Sequence, residues 1–173
     1  MKDLPIPTLA LASLGLRNTL WPVPGAPQAV PQPTPGAGGP RGLSVSWARH
    51  LDEVREAQRL RYEVFVNEMG ARLRTPLDGY DIDLFDDFCE HLLVREESTR
   101  MVIGTYRVLT PVQAKRLGGT YSDSEFDLTR LRSLRARMVE LGRSCVHAEH
   151  RQGGVILALW GAVGDFMHRN QLD

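Results

Sequence analysis

With 173 residues, 42% of them apolar and 24% charged, the chain has material for one ordinary hydrophobic core and a tail, so one folded domain is expected. Lysine plus arginine and aspartate plus glutamate number 21 each, so overall charge gives no pull toward nucleic acid or an anionic surface, and any partner must be read from local charge. The two cysteines, Cys89 and Cys145, are too few for a disulfide scaffold and fit a reducing, cytoplasmic compartment.

Nine of the eleven prolines lie at or before Pro40, with Gly36, Gly38, Gly39 and Gly42 among the last of them. Residues 1–42 therefore read as a disordered Pro/Gly-rich tail: their side chains bury too little apolar surface to offset chain entropy, and proline removes backbone donors. The apolar run from Leu9 to Leu16 is shorter than the ~20 residues a membrane span needs, and Asp3, Pro5 and Pro7 spoil it as a secretory signal.

The folded part, 43–173, starts near Leu43. Leu43, Val45 and Trp47 alternate with small or polar residues, the period of a half-buried strand. Leu51, Val54, Ala57, Leu60, Val64 and Phe65 then recur at helical spacing, with charged residues opposite and Gly70 as the stop. The aspartate-rich stretch from Thr75 to Glu90 reads as a loop. Leu92–Val94 and Met101–Leu109 predict a hairpin turning around Glu97, Ser98 and Thr99. A segment without clear period follows, and then Met138–Val146 reads as a strand in which Gly142 marks a bulge or a close ligand approach. Arg151-Gln152-Gly153-Gly154 reads as a turn into an apolar helix through Val155, Leu159, Trp160, Val163 and Phe166. Strand, helix, hairpin, strand and helix in that order predict an α/β or α+β layer.

Three features carry chemistry. A helix start with two glycines exposes backbone N–H groups to an anion such as phosphate, and Arg151 adds a charge, although the same glycines serve equally well to cap a core helix. Asp78, Asp81, Asp83, Asp86, Asp87 and Glu90 crowd one loop, which suits either solvent exposure or a cationic partner. Glu140 and Arg143 on one strand, with Arg107 on the strand before, suit a structural ion pair as well as a catalytic pair; Glu140 and Arg143 face opposite ways unless the chain bulges at Gly142.

Arg61-Tyr62-Glu63-Val64-Phe65, Asp81-x-Asp83-x-x-Asp86, Arg107 and Glu140-x-x-Arg143 together resemble the motif series of acyl-homoserine-lactone synthases. The likeness is closer to ornithine N-acyltransferases, the hemolysin-like enzymes of ornithine-lipid synthesis, over Phe65–Ala71, Phe85–Val94, Gly104–Arg107 and Glu140–Val146. Arg72 stands near where lactone synthases usually carry tryptophan. The resemblance covers Leu43 to the end and implies a GNAT-like acyl-CoA N-acyltransferase fold, a central mixed, mostly antiparallel sheet flanked by helices. Family members continue past the helix that ends near Arg169 with further strands. The C-terminal strands are therefore expected to be missing here, leaving an acyl cleft with one wall and apolar positions such as Leu159 or Phe166 uncovered.

The resemblance implies transfer of a 3-hydroxy fatty acyl group from acyl carrier protein to the α-amine of L-ornithine, giving lyso-ornithine lipid. Acyl-phosphopantetheine, on carrier protein or coenzyme A, is the implied co-substrate, with no tightly bound cofactor and no metal. Glu140 would take the amine proton, directly or through water, while Asp81, Asp83 and Asp86 place the cationic amino acid. Arg107 and Arg143 would bind its carboxylate or hold the acids. Arg61, Phe65, Arg151, Gly153 and Gly154 fall to the donor, and N–H groups around Ser144, Cys145 and Val146 to the oxyanion. His147 and His150 read as loop residues. Arg130, Arg132, Arg135 and Arg137 read as a solvated face or a dock for the acidic carrier protein, and a lipid product implies peripheral contact with the inner membrane. An acyl-homoserine-lactone synthase and a truncated, non-catalytic carrier-protein-binding relative are the rival readings.

Limited proteolysis should remove residues before Leu43 first and leave 43–173 protected; equal protection of the two parts would refute the assignment of a tail.

Overall fold

The computed structural model describes residues 42–173, so the expected tail lies, save Gly42, outside the described residues. Four strands, β1 (Leu43–Trp47), β2 (Glu90–Glu96), β3 (Val102–Leu109) and β4 (Glu140–Val146), form one sheet in chain order, every neighbouring pair antiparallel. Helix α1 (Leu51–Tyr62) lies between β1 and β2 in the chain, α2 (Pro111–Leu117) and the single turn α3 (Ser122–Glu125) lie between β3 and β4, and α4 (Gly154–Asn170) follows β4. The expected hairpin is β2 and β3, with Leu93 opposite Thr105.

The two long helices cover opposite faces of the sheet, because side chains alternate along a strand. Leu92, Val94 and Val108 pack with Val155, Leu159, Val163 and Phe166 of α4. From the other face Leu93, Val102 and Cys145 meet Ala57, Leu60 and Val64 of α1 and its continuation. Leu159 and Phe166, expected to be uncovered, are instead buried, with Phe166 against the Trp47 ring at 4.7 Å between centroids. The exposed large apolar positions of α4 are Ile156, Leu157 and Trp160, 37%, 69% and 56% accessible. The helical period put the buried stripe on the right helix, but only packing decides which part of an all-apolar surface meets the sheet.

Two local departures from the sequence reading matter. The helix expected from Leu51 to Phe65 is regular only to Tyr62 and continues as a π-helical stretch, Glu63–Glu68, which ends just before Gly70 at φ 69°. The segment after β3, read as without period, holds α2, with Thr110 accepting from Gln113 N–H, Pro111 in the first turn and Gly118 at φ 91° closing it. Those caps were legible; the shortness of the helix hid its periodicity.

After α4 the chain returns to the start of β4. Val139 N–H donates to Asp173 O (2.9 Å) and Asp173 N–H to Arg137 O (2.8 Å), so Asp173 brackets Met138 in the pattern of a parallel pair.

Gly104 sets how closely α4 approaches the sheet. A Cβ there would lie 2.4 Å from Val155 Cγ1, well inside contact distance. Gly104→Ala should therefore destabilise the fold by about 1–3 kcal/mol in equilibrium denaturation, and adding Val155→Ala should recover part of the loss. Unchanged stability in the single variant would show that α4 is free to move away.

Candidate active site

The aspartate-rich loop is tied down by three of the protein's own guanidinium groups. Arg61, in the last turn of α1, has its whole side chain buried. A guanidinium cannot lose its proton, so a buried one needs anionic partners. Arg61 Nη2 donates to Asp86 Oδ2 at 2.7 Å and to the Asp81 carbonyl, and Arg61 Nε lies 2.9 Å from Asp81 Oδ2. Arg107, directed by the β3 alternation to the α1 face, sends Nη1 to Asp83 Oδ1 at 2.6 Å and Asp86 Oδ1 at 3.0 Å. Arg143 Nε lies 3.0 Å from Asp81 Oδ2 and its Nη2 3.3 Å from Asp83 Oδ2. The Arg61 and Arg143 Nε contacts to Asp81 are near enough for charge pairing but poorly aligned as hydrogen bonds.

Gln58 and His91 complete the cluster. Gln58 Nε2 donates to Asp86 Oδ2 at 3.1 Å, and His91 Nε2 lies 3.0 Å from the Asp86 carbonyl. Burial opposes the charge on Asp86, but the hydrogen bonds and charges of Arg61 and then Arg107 outweigh it and hold its pKa down to about 2. Burial lowers the pKa of His91, which favours the neutral ring as a donor to that carbonyl. The Arg107 pKa is raised: burial works against its charge, and Asp83 and Asp86 more than compensate.

The expected bulge exists, one residue later than Gly142. Thr105 pairs with Cys145 and Arg107 with Gly142, so β4 carries one residue more than β3 across this step. Arg143 adopts φ 52°, a left-handed conformation uncommon for a residue with a Cβ. The extra residue restores parity, and both Glu140, opposite Leu109, and Arg143 fall on the α1 side.

The residues expected to work together divide into three groups. Asp81, Asp83, Asp86, Arg107 and Arg143 converge, but Asp81 and Asp86 are buried and spent on arginines, whereas the Asp83 and Arg143 side chains keep 24% and 27% of their surface. Arg61, expected at the donor site, belongs to this network and has no surface left for a cofactor. Glu140 stands apart: it accepts hydrogen bonds from Tyr121 N–H and Ser122 N–H, both 2.8 Å, and from the Ser122 hydroxyl at 2.5 Å, joining β4 to α3.

The third group lies where β4 runs into α4. Gly153, at φ 97°, is the N-cap of α4, as the glycine turn suggested, and Gly154 is its first residue. Arg151 Nε donates to Val146 O at 3.1 Å and its Nη2 to Glu68 Oε2 at 2.5 Å, so a carboxylate from the π-helical stretch already holds the expected phosphate ligand. Phe65 of that stretch packs on the α1 core. Since His147 N–H donates to Ile103 O and Cys145 pairs with Thr105, alternation directs the Val146 N–H to the open edge of β4. The Cys145 side chain is core, and burial pushes its thiol up to about 12, as it does for Cys89 beside the acidic cluster. Neither is a thiolate at neutral pH. His91 and Gln58 were missed by sequence reading; His91, adjacent to the acidic loop, was the one available signal.

Residues 60–161 match the family model described as acetyltransferase (GNAT) domain. Among curated proteins, L-ornithine N(alpha)-acyltransferases are similar: that of Rhodobacter capsulatus is 38% identical over 79% of this chain and 56% of its own length, and that of Brucella abortus 37% identical over 76% and 50%. That of Rhizobium meliloti is 42% identical over 68% of this chain and 43% of its own. The chain thus spans about half the length of the curated relatives it matches. Among solved structures, the coenzyme A-dependent acyl-homoserine lactone synthase BjaI superimposes with TM-score 0.57 at 24% identity, over 76% of this chain and 64% of that one. The acyl-homoserine lactone synthase LasI gives 0.54 at 19%, over 75% and 68%.

Acid should act on this network in a defined window. The Asp86 pKa is lowered on folding, so its contribution of about 2 kcal/mol is complete above pH ~4 and lost as pH falls toward 2. Asp86→Asn should remove that pH dependence and leave Arg61 without its nearest carboxylate, destabilising the fold by about 3–5 kcal/mol in denaturant titrations at neutral pH. A variant with wild-type stability and acid response would show that the network does not hold the loop.

Proposed function

Because the chain belongs to the acetyltransferase (GNAT) domain family, we propose that it acts as an N-acyltransferase moving a fatty acyl group from a phosphopantetheine thioester to the α-amine of L-ornithine. The observation that carries this reading is the bulge on β4, where Arg143 reaches Asp83 at 3.3 Å shortly before the strand gives way to the glycine turn that starts α4. The names of the similar proteins support the acceptor and the acyl transfer. The donor proposed is a 3-hydroxyacyl carrier protein and the product lyso-ornithine lipid.

The Val146 N–H at the open edge donates to the thioester oxygen as it becomes an oxyanion. The phosphate of the pantetheine arm meets the Gly153–Gly154 N–H groups, where the N-terminal partial charge of α4 favours an anion. Arg151 joins once Glu68 is displaced. Asp83 and Arg143, the solvent-reaching part of the ion network, bind the ammonium and carboxylate ends of ornithine, while Asp81, Asp86 and Arg61 hold them in place.

Attack requires a neutral amine. The new C–N bond forms, the C–S bond breaks and the thiolate leaves, while the amine proton passes through water to Glu140. A carboxylate offers about four acceptor positions. Two on Glu140 Oε1 and one on Oε2 are taken by Ser122 and Tyr121, which leaves a position on Oε2 for that water.

The test is product mass after incubation with hydroxyacyl carrier protein or acyl-coenzyme A and ornithine, using the chain and a chimera extended by the C-terminal segment of the Rhodobacter capsulatus relative. Acylornithine is expected. Asp83→Asn should raise KM for ornithine about tenfold with little effect on donor KM, and Glu140→Gln should lower kcat by about 10²–10⁴. Acylation of S-adenosylmethionine instead would point to lactone synthesis, and acylation of other amines but not ornithine would overturn the acceptor.

A further inference from the structure

The segment between α3 and β4 departs from the neutral character of the rest of the chain. Residues 126–139 carry Arg130, Arg132, Arg135 and Arg137 against a single acidic residue, Asp127, in a protein with equal totals of acidic and basic residues. The segment is a run of short turns, Leu131 N–H to Leu128 O, Leu134 N–H to Leu131 O and Arg137 N–H to Leu134 O, rather than a helix with a buried face. Several of its apolar side chains therefore stay outside: Leu131 is 37% and Leu134 44% accessible, and Phe126 just before them 68%, while Leu128 and Met138 are half-buried.

The four arginines are not equivalent. Arg135 pairs with Asp123 and Arg137 with Asp173 Oδ2 at 2.5 Å. Among the described residues, Arg130 and Arg132 pair with no carboxylate and are exposed. Phe126, Arg132 and Arg135 line one cavity of about 390 Å³ together with Asp123 and Asp127, and Arg135 is shared with a second, mostly apolar one of about 480 Å³ that includes Val112, Lys115 and Met138. Free cations and exposed apolar side chains thus lie along one short stretch of surface chain, beside a mostly apolar recess that Lys115 and Arg135 line. No helix among the described residues is long and apolar enough to cross a membrane.

From these features we infer that this surface docks the protein on an anionic phospholipid bilayer, with Arg130 and Arg132 at the headgroups and Phe126, Leu131 and Leu134 dipping into the interface. The charge is complementary to acidic headgroups, and interleaved apolar side chains on a projecting turn insert into a fluid surface without needing a shaped counterpart. An acidic protein would meet the same arginines, but projecting leucines and a phenylalanine would have to find pockets on it. The inference is independent of the acyl acceptor and donor.

Flotation of the full chain with vesicles tests it, using pure phosphatidylcholine and phosphatidylcholine containing about one quarter phosphatidylglycerol. Binding is expected only to the anionic vesicles and should weaken sharply at about 0.5 M salt. Arg130→Ser with Arg132→Ser should weaken it about 30-fold, the effect of two interfacial cations. Phe126→Ser with Leu131→Ser should weaken it at least tenfold, and Arg55→Ser with Arg169→Ser, exposed cations elsewhere, should change nothing. All variants replace exposed residues, and retained circular dichroism and thermal midpoints confirm that the fold is unchanged. Equal binding to both vesicle types, equal losses in the Arg55/Arg169 variant, or wild-type binding by the Arg130/Arg132 variant would overturn the proposal. No vesicle binding, with carrier-protein binding that depends on Arg130 and Arg132, would assign the surface to a protein instead.

Discussion

A guanidinium buried without a route to deprotonation constrains much of this molecule. Arg61 sits under the sheet with no accessible surface, so its charge must be met inside the protein, and the nearest chain able to do so is the loop from Thr75 to Glu90. Carboxylates so close together repel unless cations lie between them, and Arg107 from β3 and Arg143 from β4 supply the other two. Each carboxylate of the core trio is shared between two arginines: Asp81 by Arg61 and Arg143, Asp83 by Arg107 and Arg143, Asp86 by Arg61 and Arg107. This alternation joins one helix, two strands and a loop that carries a 3-10 turn at Asp86–Phe88. An apolar cluster of equal volume could be at least as stable, but it would not orient Asp83 and Arg143 at the surface.

The second constraint is backbone geometry on β4. One inserted residue, with Arg143 in a left-handed conformation, brings that side chain to the face where Asp81 and Asp83 lie and shifts the remaining strand by one position. The energetic cost of the left-handed residue is offset by two ion pairs that a glycine there could not make. On the other face Gly104 admits Val155 against β3, which brings the first turn of α4 close to the sheet. Bulge and glycine together place the Val146 N–H and the Gly153–Gly154 turn at the same end of the strand.

Glu140 shows how one residue type serves either a structural or a chemical purpose. Three donors from Tyr121 and Ser122 orient its carboxylate and tie α3 to β4, yet an acceptor position remains. The same duality holds for Arg151, which bridges Val146 O and Glu68 while lying beside a helix start suited to phosphate. In both cases contacts within the protein already fix the side chain, on Glu140 with one acceptor position left over.

Periodicity alone determined the order of the four strands and the two long helices, α1 and α4, because a sheet with helices on both faces imposes periods of two and 3.6 on its apolar residues. It also determined which aspartates crowd together and that a glycine turn begins the last helix. Motif spacing aligned Asp81, Asp83, Asp86, Arg107 and Arg143. Tertiary structure alone decided that those aspartates answer buried arginines rather than solvent, since Arg61 and Asp86 are 25 positions apart and Arg143 and Asp83 are 60 apart. It decided that the bulge falls on Arg143 rather than Gly142, because the register of β4 follows from its pairing with β3. It also decided that Leu159 and Phe166 are buried while Leu157 and Trp160 are not. A sequence shows which residues are able to carry charge or to hide from water; which of them do so depends on what the rest of the chain packs against them.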